Sequence, residues 1–73
     1  MTPTTYALLA RERKAAKIAD ALQKIGITSD EAATATENEY GMAAELAGTK
    51  VPSAATWAVV VDMLRRSQAG ALV

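Results

Sequence analysis

The chain has 73 residues, and its eight basic and eight acidic side chains give it no net charge at pH 7. It contains neither histidine nor cysteine, which excludes imidazole and thiolate metal sites, disulfide frameworks and the usual nucleophilic triads. Apolar residues make up 51% of the chain, but many of them are alanine, which forms helices readily and contributes little burial area.

This length and composition predict a single helical domain. A chain of 73 residues is close to the lower size at which a hydrophobic core alone is sufficient, so we expect marginal stability. We treat residues 1–73 as one domain. The predicted fold class is all-α, a compact bundle of three to four helices, and a second copy of the chain would help to complete its core.

Several functions are disfavoured by what the sequence lacks. The glycines are scattered and form no phosphate-binding loop, and the acidic residues do not have the spacing of a calcium loop. We therefore expect a protein that is not an enzyme and that binds no cofactor, metal or small-molecule substrate. No apolar run reaches the roughly 20 residues that span a membrane, and the N-terminal residues are polar, so we expect no membrane partner and a cytoplasmic location.

Charge is distributed unevenly along the chain. Residues 1–26 carry an excess of basic side chains, residues 27–49 carry acidic side chains alone, and residues 50–73 again carry an excess of basic ones. This dipolar pattern favours attraction between neighbouring helices over the binding of a polyanion along the whole chain.

A long first helix is predicted from Pro3 to Ile25, where Gly26 ends it and Ile27 packs back onto it. Its buried stripe follows alternating spacings of three and four residues. The stripe consists of Leu8, Arg11, Ala15, Ile18, Leu22 and Ile25. Arg11 interrupts it, and we interpret its stem as lying on apolar surface while its guanidinium reaches water. An anchor in an interface is the alternative for Arg11.

The middle of the chain is predicted to form two short helices. They are expected near residues 29–35 and 37–47. Thr28 or Ser29 caps the first of them, and a capping box between Thr36 and Glu39 opens the second. One continuous helix is the alternative, which propensity alone leaves open. One face of the second helix carries Tyr40, Ala43, Ala44 and Ala47, with Met42 and Leu46 beside it. Gly41 inside this helix suggests that another backbone passes close to it.

The last helix is predicted to begin after a cap at Ser53 and to run to about Arg66 or Gln68, with Gly70 ending the regular pattern. One face has the spacing of a buried helix stripe. That face consists of Trp57, Val60, Val61 and Leu64. Trp57 is the only tryptophan and is predicted to lie at the centre of the core, while the apolar C-terminal tail either docks or frays.

Two segments resemble the helix-turn-helix motif of bacterial and phage repressors. They are Ala43-x-Glu45-Leu46-Ala47-Gly48 and Ser53-x-x-Thr56-Trp57-x-x-Val60, within residues 43–61. The resemblance implies helix-turn-helix-like geometry in the C-terminal half and a DNA-binding transcriptional regulator of a bacterium or phage. The DNA-binding residues that it implies are Lys50, Ser53, Thr56, Arg65 and Arg66. The start of the second helix offers few hydrogen bonds to base edges, so DNA ranks second as a partner.

The last helix carries a second apolar stripe, Val59 and Met63, on the side opposite Trp57 and Leu64. One face of a helix in a small bundle normally meets solvent, so this stripe favours coverage by another chain. Packing against the first helix or the C-terminal tail is the alternative. We predict that Val59, Met63 and Arg66 bind a protein partner, including a second copy of the chain in a two-fold dimer. Protein–protein contact therefore ranks first as the function.

Overall fold

The structure of the chain is a computed structural model that describes the backbone of residues 3–71 and the side chains of residues 9–69. Its helices are α1 (Pro3–Lys24), α2 (Ser29–Ala33), α3 (Glu37–Ala47) and α4 (Ala54–Ala71). Residues 3–71 contain no strand, so the predicted all-α bundle is confirmed. The middle of the chain forms two helices rather than one, as the capping pattern predicts.

A threonine cap begins each of α2 and α3. The Thr28 hydroxyl accepts a hydrogen bond from the Glu31 backbone N–H at 3.2 Å, and the Glu31 carboxylate accepts one from the Thr28 N–H at 3.0 Å. At the start of α3, the Glu39 carboxylate accepts hydrogen bonds from the backbone N–H and the hydroxyl of Thr36, both at 3.1 Å. Because each cap satisfies backbone donors at a helix start, it favours a new helix over continuation of the old one.

Glycines in the left-handed region end α1 and α3. Gly26 has a φ of +83°, and the Ile27 N–H donates to the Leu22 carbonyl at 3.0 Å. Gly48 has a φ of +70°, and the Thr49 N–H donates to the Ala44 carbonyl at 3.0 Å. These hydrogen bonds pair carbonyls that the last helical turn leaves free. Ile27 packs back onto the core, as predicted.

The core lies between α1 and α4 and is closed by α2 and α3. The buried apolar residues are Ala15, Ile18, Ala19 and Leu22 of α1, Ala32 of α2, Ala43 and Ala44 of α3, and Trp57, Val60, Val61 and Leu64 of α4. The α4 stripe and the central part of the α1 stripe are therefore confirmed. The prediction that Ile25 belongs to the buried stripe is wrong, because Ile25 is 56% exposed. Since α1 ends at Lys24, Ile25 no longer follows the spacing of the helix. Arg11 is exposed, and the side chain of Leu8 lies outside the described residues.

Polar contacts fix α2 and the preceding turn against α4. The Trp57 indole N–H donates to the Ala32 carbonyl at 2.7 Å, and the Trp57 ring stacks on Tyr40 with ring centroids 4.4 Å apart. The Gln68 amide donates to the Ile27 carbonyl at 3.0 Å and accepts from the Ser29 N–H at 2.9 Å. These contacts hold a helix of only five residues, which has little stability of its own.

The end of α4 differs from the prediction. The helix continues through Gly70 to Ala71, whereas an end near Arg66 or Gln68 was expected. A glycine does not end a helix by its presence alone. Gly26 and Gly48 end their helices with a left-handed backbone, whereas Gly70 has a helical one. The remaining tail, residues 72–73, for which docking or fraying is predicted, lies outside the described residues.

The prediction that another backbone passes close to Gly41 is also wrong. A Cβ built on Gly41 meets no atom within 4 Å, and the residue is helical. Glycine in such a position costs about 0.5–1 kcal/mol relative to alanine through lost chain entropy. We expect Gly41→Ala to raise the free energy of unfolding by about that amount, measured by urea denaturation.

A matched control for this prediction is Gly48→Ala. Gly48 also has open space around it, but its φ of +70° strains any residue with a Cβ, so this change should lower the free energy of unfolding. A Gly41→Ala variant that is less stable than the wild type would mean that the helix does not tolerate an added methyl group at this position.

Candidate binding surface

The residues predicted to bind a protein partner do not form one free surface. Val59 and Met63 are half-buried and pack against the core of their own chain. This packing favours the alternative stated for them, burial within the monomer. Arg66 is exposed, and its guanidinium Nη2 lies 2.7 Å from the Asp62 carboxylate one turn away. Their role in binding a partner stays a prediction.

The residues implied for DNA binding lie in two separate places. Ser53 caps α4, since its hydroxyl accepts the Thr56 N–H at 3.2 Å, and Thr56 is buried with its hydroxyl 3.1 Å from that of Ser53. Lys50 is exposed in the turn before α4, whereas Arg65 and Arg66 are exposed far along the helix. At 1.5 Å per residue, Thr56 and Arg65 are about 14 Å apart along the axis. The structure does not bring the five residues together.

The order of elements agrees with the helix-turn-helix resemblance, but the main contacts of α4 are not with α3. The chain does run from α3 through the turn at residues 48–53 into α4. However, α4 packs mainly against α1 and α2, and its contact with α3 includes the Tyr40–Trp57 stack. The buried Thr56 is engaged in the helix cap rather than presented for base readout.

Three of the four most exposed large apolar side chains among the described residues lie together at another place. We call Ile25, Met42 and Leu46 the apolar patch; they are 56%, 65% and 58% exposed. Met42 and Leu46 are four residues apart on α3, and both line one groove with Ile25 at the end of α1. The packing of α3 through alanines places these larger side chains on its outer side, because Ala43 and Ala44 face the core.

The patch borders a groove whose floor belongs to the core. The floor contains Leu22, Ala32, Ala43 and Trp57, which are all buried. Ile27 and Ala35 line the groove as half-buried residues. The groove encloses a space of about 170 Å³, which is smaller than the usual site for a drug-sized ligand. An apolar side chain of a partner fits this space better than a metabolite does.

Charged side chains flank the patch at two ends. Glu31 and Glu39 line the groove at the end formed by α2 and the start of α3. Lys17, Asp20 and Lys24 line a more open depression between α1 and α3, which Ile25 and Leu46 also border. The Lys24 ammonium lies 3.1 Å from Asp20, while Lys17 has no ion pair within the described side chains. Glu45 borders the patch beside Met42 and Leu46. The patch therefore has an acidic end at Glu31 and Glu39 and mixed charge along the rest of its edge.

The carboxylate at the acidic end has a perturbed pKa. Hydrogen bonds from the Thr28 backbone N–H, and next from its hydroxyl, lower the pKa of Glu31 below the ordinary value of 4.5. Both donors lie 3.0 Å from the same carboxylate oxygen. Glu31 therefore remains ionised to a lower pH than a free carboxylate does, and it maintains the negative end of the patch.

This shift predicts a pH dependence of stability. Because the folded-state pKa of Glu31 is lowered, its contribution is complete above the unfolded value of about 4.5 and is lost as the pH falls through the folded pKa. We expect the free energy of unfolding of Glu31→Gln to fall less steeply than that of the wild type below about pH 4.5. Urea denaturation at several pH values measures both slopes. Equal slopes, with a carboxyl pKa at or above the ordinary value by NMR titration, would contradict the assigned contact.

Other kinds of site are not supported by the described part of the chain. Among these residues, no three acidic side chains come together as ligands for a metal ion. None of the helices in residues 3–71 combines the length and the apolar character that crossing a bilayer requires.

The partner-binding residues predicted from the sequence lie on α4, whereas the apolar patch lies on α3 and at the end of α1. Met42 and Leu46 have the i,i+4 spacing of neighbours on one helix face, and they lie beside the face that carries the alanines. The exposure of Ile25 had no comparable signal, since it continues the spacing of the α1 stripe.

Comparison of this chain with protein-family models, with curated proteins and with solved structures finds no match.

Proposed function

We propose that this chain is a small, non-enzymatic binding module that acts by protein–protein contact through the apolar patch. The observation that carries the proposal is the exposure of Ile25, Met42 and Leu46 side by side on a helical body with few other large exposed apolar residues among those described. Contiguous apolar surface of this kind marks sites of contact with other proteins.

The chemistry of the patch suits contact with a helix or a similar convex surface. Met42 has a flexible thioether side chain that adapts to irregular partner surfaces. Fully burying a large apolar side chain contributes about 1.5–3 kcal/mol, and each patch residue already has part of its surface covered. The three side chains together therefore support a moderate affinity rather than an obligate complex.

The described surface supports DNA binding less well. Of the residues that the helix-turn-helix resemblance implies, Thr56 is buried in a cap, and the Arg66 guanidinium is paired with Asp62. Phosphate contacts supply most of the affinity for DNA, and the exposed cations are spread over α1, the turn at Lys50 and the far part of α4. Protein–protein contact therefore remains the preferred function.

The proposal is tested by comparing three baits in extracts of the native host. The baits are the wild type, Leu46→Glu, which places a carboxylate in the patch, and Val51→Glu as the matched control. Val51 is 60% exposed and lies in the turn after α3, away from the patch residues. Proteins captured by each bait are purified, and their binding is then measured by titration calorimetry.

We expect partners that bind the wild type and Val51→Glu but not Leu46→Glu, because a carboxylate in the desolvated contact is unpaired. A second copy of the chain counts as such a partner. Binding that is indifferent to Leu46→Glu would contradict the proposal, as would the absence of both a captured partner and self-association.

A further inference from the structure

We propose that the partner of the apolar patch is a short basic segment of another protein, which places one large apolar side chain in the groove and lysine or arginine side chains beside Glu31 and Glu39. This inference rests on the proposed function, because it states the chemistry of the partner that the same surface takes. It is carried by the size of the groove, the charge of its lining and the hydrogen bonds of the two carboxylates.

The groove has the size of one side chain. Its space of about 170 Å³ is similar to the roughly 150 Å³ of an apolar cavity that holds a benzene ring. The floor is apolar and buried, and Ile25, Met42 and Leu46 border the opening. A phenyl ring or a branched aliphatic side chain therefore fills the groove, while the three patch residues cover the segment on either side of it.

The groove lining carries charge of one sign. Of the described residues that line the groove, Glu31 and Glu39 are the only charged ones, and both are exposed. They come from the first turns of two different helices, α2 and α3. A segment with its apolar side chain in the groove therefore has two carboxylates next to it at one end.

The helix caps hold both carboxylates in place and use one oxygen of each. Oε1 of Glu31 accepts the backbone N–H and the hydroxyl of Thr28 at 3.0 Å, and Oε1 of Glu39 accepts the same two groups of Thr36 at 3.1 Å. The hydrogen bonds and ion pairs among the described residues leave Oε2 of each carboxylate to solvent. Because the two side chains are already ordered, pairing Oε2 with a cation costs little further conformational entropy on this side of the contact.

The rest of the patch edge does not offset this negative charge. Its other charged residues are two acidic and two basic ones, and the ammonium of Lys24 is paired with Asp20 at 3.1 Å. These four residues are Lys17, Asp20, Lys24 and Glu45. The excess of negative charge therefore lies at Glu31 and Glu39, where it disfavours an acidic segment and favours a basic one.

Selection from a random peptide library tests the chemistry of the partner. Peptides displayed on phage are first depleted on Leu46→Glu and then selected on the wild-type chain. Because Leu46→Glu adds a negative charge, the depletion removes peptides that are held by charge alone. We expect the enriched peptides to contain a large aliphatic or aromatic residue with lysine or arginine close to it in sequence, and few acidic residues.

Titration calorimetry with an enriched peptide tests where its basic side chains bind. We expect dissociation constants of about 10–100 μM for one inserted side chain with charged contacts beside it. Replacing the lysine and arginine residues of the peptide with glutamine should weaken its binding to the wild type about 3- to 10-fold. The same replacement should have little effect on binding to the double variant Glu31→Gln, Glu39→Gln, because the groups that the cations would face are then uncharged.

The variants are matched so that a loss of binding reports the charge at the groove. Glutamine keeps an oxygen that accepts the capping hydrogen bonds of Thr28 and Thr36. Glu12→Gln makes the same change on α1, about 18 Å along the helix axis from Lys24, and should leave binding unchanged. Circular dichroism and the urea midpoint of each variant establish that the chain remains folded. If Leu46→Glu does not fold, Met42→Glu replaces it.

The outcomes separate this inference from the proposed function. Enriched peptides that require Leu46 but are neutral or acidic overturn the basic segment and still support the proposed function. Equal effects of the peptide replacement on the wild type and on the double variant overturn the pairing with Glu31 and Glu39. A library without any peptide that distinguishes the wild type from Leu46→Glu overturns the inference, while a folded protein whose binding requires Leu46 would still support the proposed function. A dimer of the wild type that Leu46→Glu abolishes in sedimentation equilibrium assigns the patch to a second copy and likewise overturns the basic segment.

Discussion

Replacing Trp57 with alanine is expected to lower the free energy of unfolding by about 3–5 kcal/mol, which is much of the total stability of a domain of this size. Trp57 is 5% exposed and lies where α2, α3 and α4 meet. The substitution removes its stack on Tyr40 and its hydrogen bond to the Ala32 carbonyl, and it leaves a cavity that the neighbouring alanines are too small to fill.

Circular dichroism in urea is the appropriate measurement, since the variant has no tryptophan fluorescence. Trp57→Phe serves as the control, because it keeps an aromatic ring beside Tyr40 and loses the indole hydrogen bond. The Ala32 carbonyl still receives the Ala35 N–H at 3.2 Å, so Trp57→Phe should cost much less than Trp57→Ala. A Trp57→Ala variant that unfolds cooperatively near the wild-type midpoint would show that the core is organised around other residues.

The helices could be predicted from the sequence because their signals are local. The capping pair of Thr36 and Glu39 makes its hydrogen bonds within one turn, and Gly48 stops α3 through its own backbone conformation. The spacing of Trp57 and Leu64 on one helix face likewise needs no knowledge of the partner helices. These are the parts of the fold that the structure confirms.

The surface could not be predicted in the same way, because exposure depends on which helices cover which faces. Val59 and Met63 read as a free stripe only when α4 is considered alone, and in the bundle they pack against the core. Conversely, Ile25 continues the α1 stripe in sequence, yet the end of α1 at Lys24 places it outside the core. The exposure of these side chains depends on long-range packing, which a helix pattern does not contain.

Electrostatics is a second reason why the surface could not be predicted from the sequence. The number of charges in each segment is known from the sequence, but the charged surroundings of the apolar patch arise only when α1 and α3 lie side by side. Lys17 and Leu46 are far apart in the chain and line the same depression.

Two leucine-to-alanine substitutions should separate the core from the surface. Leu64 is 0% exposed and Leu46 is 58% exposed, so the same chemical change tests two different roles. Leu64→Ala leaves a cavity at the contact of α4 with the core, and we expect it to lower the free energy of unfolding by about 2–5 kcal/mol. Leu46→Ala removes a side chain that is mostly in water and introduces a better helix former, so its effect on monomer stability should be below about 1 kcal/mol.

Binding of a partner should show the reverse order. Urea denaturation gives the stability of each variant, and titration calorimetry with a partner captured by the wild type gives its affinity. We expect Leu46→Ala to weaken binding, because it removes apolar contact area from the patch, while Leu64→Ala retains wild-type binding in whatever fraction remains folded. If Leu46→Ala instead unfolds the chain, or if Leu64→Ala alone abolishes binding in folded protein, then the division between the buried core and the apolar patch is wrong.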